Sequence, residues 1–131
     1  MTKKKKAVLE ETETITKPAA VETASVEDLR SSLEEIKACD GVIGYILRNS
    51  ASASIDLKDP TKIIDYAILS SSALDAGEEL SELFNLGDFK NIVIEGKNVK
   101  MLSLTDSENR VSVFLEKDAD LGKVLSKLRL P

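Results

Sequence analysis

The 131-residue chain contains no histidine, no tryptophan and a single cysteine, Cys39. Without histidine the chain lacks the usual general base and the commonest metal ligand. This argues against a catalytic triad of the hydrolase type and against zinc-dependent catalysis. One cysteine excludes a disulfide framework and any site that several cysteines would build. These absences favour a binding protein over an enzyme, with no cofactor and no metal site.

Aromatic residues and long apolar runs are also scarce. An aromatic content of 4% argues against a base-stacking surface, and a formal net charge of -5 argues against binding to phosphate backbones, so no nucleic acid partner is expected. The longest uncharged run has nine residues, Tyr66–Leu74, which is too short for a membrane span. A hydrophobic content of 42% predicts one domain with a core of ordinary size.

Residues 1–24 differ in composition from the rest of the chain. They contain the lysine run Lys3–Lys6, followed by an acidic, threonine-rich stretch without periodic apolar residues. Such a segment buries too little surface to offset its ordering entropy, which predicts a disordered tail before a domain at 25–131. The absence of a secretory signal predicts a cytoplasmic protein. The lysine run fits a solubilising terminus or, alternatively, contact with an anionic membrane or nucleic acid.

Hydrophobic periodicity predicts the element order α-β-β-α-β-β-β-α. In the inner strands the residues that point to either face of the sheet are apolar. Helices should therefore cover both faces of one antiparallel sheet. The expected helices run from an N-cap at Ser25 to near Asp40-Gly41, from Asp59-Pro60 to Leu86 with Gly87 as the stop, and from Asp118 or Asp120 towards the C-terminus. The expected strands are Val42–Leu47, Ser52–Leu57, Asn91–Glu95, Val99–Thr105 and Arg110–Leu115.

The long helix carries apolar residues on two sides of a helical wheel. Ile64 and Ile68 lie opposite the predicted core stripe, with Ser71 on the same line, and two isoleucines one turn apart indicate a second contact. A partner copy would supply that contact; the alternative is a helix covered by the tail of its own chain. The predicted core stripe consists of Tyr66, Leu69, Ala73, Ala76, Leu80 and Phe84.

The third strand opens an antiparallel meander and is therefore expected at a sheet edge. It carries no proline or inward lysine to protect that edge from pairing with another chain. An open edge and a two-sided helix together favour an isologous homodimer. The predicted dimer interface consists of Ile64, Ile68, Ser71, Ile92, Val93 and Ile94.

Four acidic residues share one arc of the long helix, and no basic residue occurs between Lys62 and Lys90. Like charges at these spacings repel one another. The arc is predicted to attract a basic partner surface, and the alternative is an ordinary solvated helix face. The predicted partner-binding residues are Asp75, Glu78, Glu79 and Glu82.

Three segments make the chain similar to a known family. They are DGVIGYIL at the first strand, LFNLGDFKNIVIEGKNVKML from the long helix into the edge hairpin, and LEKDADLGKVLSKL from the last strand into the last helix. In these segments and in element order, residues 25–131 resemble the roadblock/dynein light chain family. The resemblance implies a three-layer α/β (α+β) domain of the profilin/roadblock type, with a five-stranded antiparallel sheet.

The same resemblance implies a role without catalysis. It implies a homodimer, or a heterodimer with a paralogous roadblock chain, built through the long helix and the third strand. It also implies a scaffold or regulator of a small Ras-like GTPase, or alternatively a structural light chain or adaptor subunit of a larger motor or signalling assembly. The turn Arg48-Asn49-Ser50-Ala51 departs from the acidic-glycine turn frequent in the family, so functions tied to that turn are not carried over.

Overall fold

The computed structural model describes residues 17–128, with side chains from residue 27 onward. Its elements are α1 (Lys17–Lys37), β1 (Val42–Arg48), β2 (Ala53–Leu57), a 3-10 turn (Pro60–Lys62), α2 (Ile63–Leu83), β3 (Ile92–Glu95), β4 (Val99–Asp106), β5 (Asn109–Glu116) and α3 (Leu121–Leu128). The strands form one antiparallel sheet in the order β2-β1-β5-β4-β3. This architecture confirms the predicted fold class, and each strand lies within one residue of its predicted bounds.

Two apolar clusters separate the three layers. Helices α1 and α3 cover one face of the sheet, where Leu33 and Ile36 pack against the inner strands. Helix α2 covers the other face, where the ring of Tyr66 stacks on the buried ring of Phe114 with centroids 4.4 Å apart. Strands β1, β4 and β5 are covered on both faces of the sheet, which explains why apolar residues occupy consecutive positions in their sequences.

Three buried serine hydroxyls form a chain of hydrogen bonds between α2 and the sheet. Ser112 on β5 bonds both Ser70 on α2 and Ser103 on β4. All three residues are buried, so each hydroxyl depends on the others for a partner.

Replacing Ser112 with alanine should lower the free energy of unfolding by about 1–3 kcal/mol, because the hydroxyls of Ser70 and Ser103 lose their shared partner. Urea denaturation of the two proteins measures the difference. Replacing the exposed Ser126 in the same way is the control and should change stability little. Equal stability of Ser112→Ala and the parent protein would contradict this account.

The first helix starts earlier than predicted. It begins at Lys17, so Ser25 lies inside the helix and residues 17–24 are helical rather than tail. Pro18 fits the first turn, where its missing N–H costs nothing, and Ala19, Ala20 and Ala24 are strong helix formers. The predicted disorder of residues 1–16, with the lysine run, lies outside the described residues.

Helix α2 ends earlier than predicted, at Leu83 rather than Leu86. Asn85 adopts a left-handed conformation (φ 57°), and the N–H of Leu86 donates to the carbonyl of Ser81 at 2.9 Å. Together with the bond from the Asn85 N–H to the carbonyl of Glu82, this is a Schellman cap. The predicted stop at Gly87 was wrong because asparagine also tolerates the left-handed region.

The predicted core stripe of α2 was only partly right. Tyr66 and Ala73 contact the sheet, but Leu69, Ala76, Leu80 and Phe84 are exposed. The stripe is rotated because small residues allow α2 to approach the sheet closely. The buried residues of α2 are Ser70, Ala73, Leu74 and Gly77.

Candidate protein-interaction surface

Helix α2 has three solvent-accessible surfaces, which we name here. The arginine flank consists of Ser71, Asp75 and Glu78; the outer face of Ile64, Ile68, Glu79 and Glu82; and the apolar flank of Leu69, Ala76, Leu80 and Leu83. At 100° per residue the arginine flank and the outer face overlap, because Ile64 and Glu82 lie between Ser71 and Asp75 on the helical wheel. The apolar flank lies beyond Ile68 and Glu79, on the other side of the outer face.

The arginine flank is fixed to the sheet by two arginines. Arg48 on β1 donates to the Ser71 hydroxyl. Arg110, its register partner on β5, donates to the carboxylates of Asp75 at 2.7 Å and Glu78 at 3.4 Å. The hydrogen bond to Asp75 raises the pKa of the Arg110 guanidinium above its usual value, so its charge is constant at any ordinary pH.

Arg110 changes the interpretation of the four predicted partner-binding acids. No basic residue is near them in sequence, but the fold brings Arg110 to Asp75 and Glu78. Glu79 and Glu82 make no ion pair among the side chains that the structure describes, and both are exposed on the outer face. The structure therefore divides the acids into one pair that holds the helix and one pair that faces solvent.

Replacing Arg110 with alanine should destabilise the domain by about 1 kcal/mol, because exposed ion pairs contribute little and four like charges then remain unpaired. The loss should be larger at 20 mM than at 500 mM NaCl, since salt screens that repulsion. Urea denaturation at both salt concentrations measures it, with Glu79→Gln as the control that should not destabilise. A loss independent of salt would contradict the electrostatic account.

The apolar flank lies on the side of α2 away from Arg48 and Arg110, which is the side of the edge strand β3. Its leucines are open to solvent: Leu80 is 51% exposed and Leu83 is 68% exposed. On β3 itself Val93 and Ile94 are also exposed. Ile94 shares the α2 face of the sheet with Ile92, whereas Val93 points to the opposite face. Exposed apolar side chains therefore occur both on the flank and at an unpaired strand edge, and proteins often bury such surfaces against a partner.

The six residues predicted for the dimer interface occupy different surfaces. Ile64 and Ile68 are the most open, at 73% and 60% exposure, and lie on the outer face. Ser71 accepts the hydrogen bond from Arg48, and Ile92 packs against the core under α2. Sequence reasoning missed the apolar flank because it assigned Leu69, Ala76 and Leu80 to the core. The spacing of four and three residues from Ala76 through Leu80 to Leu83 was the available signal.

The described residues offer little for catalysis or metal binding. No group of three or more potential metal-ligating side chains occurs within residues 17–128. Cys39 is half-buried at the end of α1 and donates to the backbone carbonyl of Glu35. No helix in this part of the chain has the length and apolarity needed to cross a membrane.

Comparison with known proteins supports the fold. No protein-family model and no curated protein sequence matches the chain. Among solved structures, a roadblock/LC7 domain from Streptomyces avermitilis is 16% identical, covers 78% of this chain and 86% of its own, and gives a TM-score of 0.62. MglB from Myxococcus xanthus is 15% identical, covers 79% of this chain and 80% of its own, and gives a TM-score of 0.65.

A third solved structure agrees with these two. The gliding protein MglB from Thermus thermophilus is 19% identical, covers 77% of this chain and 80% of its own, and gives a TM-score of 0.59. At these identities the similarity concerns the fold, and it extends over most of each chain. The described part of this chain is a domain with the roadblock/LC7 fold.

Proposed function

We propose that the chain is a dimeric, non-enzymatic scaffold or regulator that binds a small Ras-like GTPase through its paired α2 helices. The observation that carries the proposal is that α2 is buried on one side only and presents apolar residues on two others. In a chain of 14.3 kDa, exposed apolar surface on two sides of one helix favours contact with partners.

The apolar flank and β3 support self-association. Both are on the same side of the domain, and both are open. A second copy related by a two-fold axis would bury its apolar flank against the same flank of the first copy. The same arrangement would pair the two β3 strands edge to edge. The sheet would then continue across both subunits, which satisfies the free backbone groups of β3.

The outer face remains available after such pairing and supports the binding of a different protein. Ile64 and Ile68 supply apolar contact near one end of α2, while Glu79 and Glu82 supply negative charge near the other. The resemblance noted from the sequence makes a Ras-like GTPase the expected occupant. The acids favour a GTPase surface that presents lysine or arginine beside an apolar residue.

Calorimetry with the Ras-like GTPases of the source organism, each loaded with GDP or a non-hydrolysable GTP analogue, tests the proposal. We expect one of them to bind, and Ile68→Glu to weaken that binding at least tenfold. Ile55→Glu is the matched control, because Ile55 is also exposed but lies on the opposite edge strand, β2. Absence of binding by every GTPase would overturn the proposal.

The rate of GTP hydrolysis separates a regulator from a passive subunit. A regulator changes the rate of the bound GTPase, whereas a structural light chain or adaptor leaves it unchanged. The chain alone should hydrolyse no GTP, and turnover without an added GTPase would contradict the non-enzymatic assignment.

A further inference from the structure

A cleft of about 680 Å³ lies at the C-terminal end of α2, beside the turn that follows β4. The carboxylates of Glu78, Glu82 and Asp88 line it, and no basic residue does. Arg110 bonds Glu78, whereas Glu82 and Asp88 make no ion pair among the side chains that the structure describes. The cleft therefore holds two negative charges with which no described cation pairs.

The helix end and an aromatic ring add to the character of the cleft. Helix C-termini carry partial negative charge, which a basic residue in the last turn often offsets, but the last turn of α2 contains none. The ring of Phe89 lines the cleft and packs against α2, since an added Cβ on Gly77 would lie 3.1 Å from it. Carboxylates beside an aromatic ring suit a lysine side chain, which has an ammonium head and an apolar stem.

The N-terminal segment of the chain supplies lysines. Lys3–Lys6 are consecutive, and the first acidic residue of the chain is Glu10, so no carboxylate interrupts the run. Four positive charges thus occur in one short segment, and the cleft has the opposite charge. Complementary charge of this kind selects which surfaces meet.

The start of α1 lies at the same end of the sheet as the cleft. Helix α1 runs antiparallel to β1, because a short turn joins its end at Lys37 to Val42. Its start at Lys17 therefore lies towards the end of the sheet where β1 finishes and β5 begins. The turn after β4, which lines the cleft, is also at that end.

The segment before α1 is long enough to reach the cleft. Lys6 lies eleven residues before Lys17, a span of up to about 37 Å, whereas a domain of about 100 residues has a radius of gyration of about 13 Å. Tethering also favours this segment over a free basic peptide. Exposed ion pairs are individually weak, but a segment joined by a short linker has an effective concentration in the millimolar range.

We propose that the lysine run Lys3–Lys6 docks in the cleft at the C-terminal end of α2 of its own chain. The ammonium groups pair with Glu82 and Asp88, and a lysine stem contacts Phe89. Docking covers the acidic end of the outer face and leaves its apolar end open. The lysine run and a basic partner surface then compete for Glu82, a consequence that rests on the proposed function.

Paramagnetic broadening in the full chain tests the docking without any GTPase. A nitroxide on Thr2→Cys in a Cys39→Ala background lies next to the lysine run and keeps all four lysines. At 20 mM NaCl we expect it to broaden the amide signals of residues 87–89 and to spare that of Gly41, at the opposite end of the sheet. The broadening should disappear at 500 mM NaCl, because salt screens exposed charges.

Neutral variants of the acids show whether the cleft is the docking site. Glu82→Gln combined with Asp88→Asn should remove most of the broadening. Glu116→Gln combined with Asp118→Asn is the matched control, because it changes the net charge equally at exposed positions near the opposite end of the sheet, and it should retain the broadening. Broadening that persists without the carboxylates of Glu82 and Asp88 would overturn the docking, as would its absence from the protein that keeps them.

A mixed sample distinguishes docking within one chain from docking between chains. It combines a ¹⁵N-labelled chain without nitroxide and an unlabelled chain that carries the nitroxide. Little or no broadening in this mixture supports docking within one chain. Broadening as strong as in the chain that carries its own nitroxide would overturn it, since lysines of another copy would then fill the cleft.

Calorimetry measures the competition separately. Where the chain binds a Ras-like GTPase, replacing Lys3–Lys6 with glutamine should tighten that binding at least threefold. The matched control removes the same charge from four exposed lysines away from the cleft, Lys58, Lys97, Lys117 and Lys123. Equal tightening in both variants would overturn the competition. Absence of any GTPase binding would overturn the proposed function instead, and the broadening experiment would still decide the docking.

Discussion

Replacing Gly44 with alanine is expected to lower the free energy of unfolding by about 3 kcal/mol or more. Gly44 lies in β1 at an irregularity in the β1–β5 register, where the backbone of β2 comes unusually close. A Cβ at this position would overlap the carbonyl oxygen of Asp56 and lie 2.7 Å from the Cα of Leu57. Both are backbone atoms, so the clash can be relieved only by separating two strands.

Urea denaturation measures this loss, and Gly122→Ala is the matched control. Gly122 lies near the start of α3, and its added Cβ would have only a side-chain oxygen of Asp120 at 3.4 Å. Alanine in a helix should leave stability unchanged or raise it by up to about 1 kcal/mol. Equal stability of the Gly44 and Gly122 variants would contradict the close approach of β1 and β2.

Replacing Leu80 with glutamate is expected to raise the dissociation constant of the dimer at least 100-fold. In the proposed dimer the carboxylate would be buried at an apolar helix contact without a partner, once in each copy. An uncompensated buried charge costs about 3–5 kcal/mol, and every 1.4 kcal/mol is a factor of ten. Sedimentation equilibrium across a range of protein concentrations measures the change.

Ile68→Glu is the control for this experiment, because Ile68 lies on the outer face rather than on the apolar flank. We expect it to leave the dissociation constant of the dimer within a few-fold of the parent value. If Ile68→Glu dissociates the dimer and Leu80→Glu does not, the helices pair through the outer face, and the apolar flank is then the surface left for another protein.

Much of the fold could be predicted from the sequence because the strands carry local signals. Consecutive apolar residues identified the inner strands, which are covered on both faces. Short polar links at Gly96-Lys97-Asn98 and after Thr105 identified the antiparallel meander. Of the two caps offered for α3, Asp120 was correct, since its carboxylate accepts the backbone N–H of Lys123. Asp59 accepts the N–H of Thr61, but it caps the 3-10 turn Pro60–Lys62, so the predicted start of the long helix was wrong: α2 begins at Ile63 without a side-chain cap. These features depend on near neighbours, which a sequence displays directly.

The orientation of α2 could not be predicted in the same way. A wheel shows that this helix has apolar residues on several sides, but it does not show which side meets the sheet. The larger residues, such as Leu80, are exposed, whereas Ser70 and Gly77 are buried. Leu74 is also buried, so the side that meets the sheet combines small residues with one large leucine, and residue size alone did not identify it.

The pairing of Arg110 with Asp75 is a second case that sequence reasoning missed. The two residues are 35 positions apart, on a strand and a helix that meet only after folding. Charge runs in a sequence reveal local repulsion but not a distant residue that relieves it. The predicted interface and partner-binding residues remain predictions, for which the structure supplies positions and neighbours.

The place of β5 at the centre of the sheet has a consequence for dividing the chain. Strand β1 comes from the first half and β5 from the second, yet they pair along their length, from Val42 opposite Leu115 to Arg48 opposite Arg110. A cut in the connection between Leu86 and Asn91 would leave α1, β1, β2 and α2 in one fragment and β3, β4, β5 and α3 in the other. The cut leaves β1 at an open edge of one fragment and β5 at an open edge of the other, so each half expressed separately would lack the neighbour that the other half supplies.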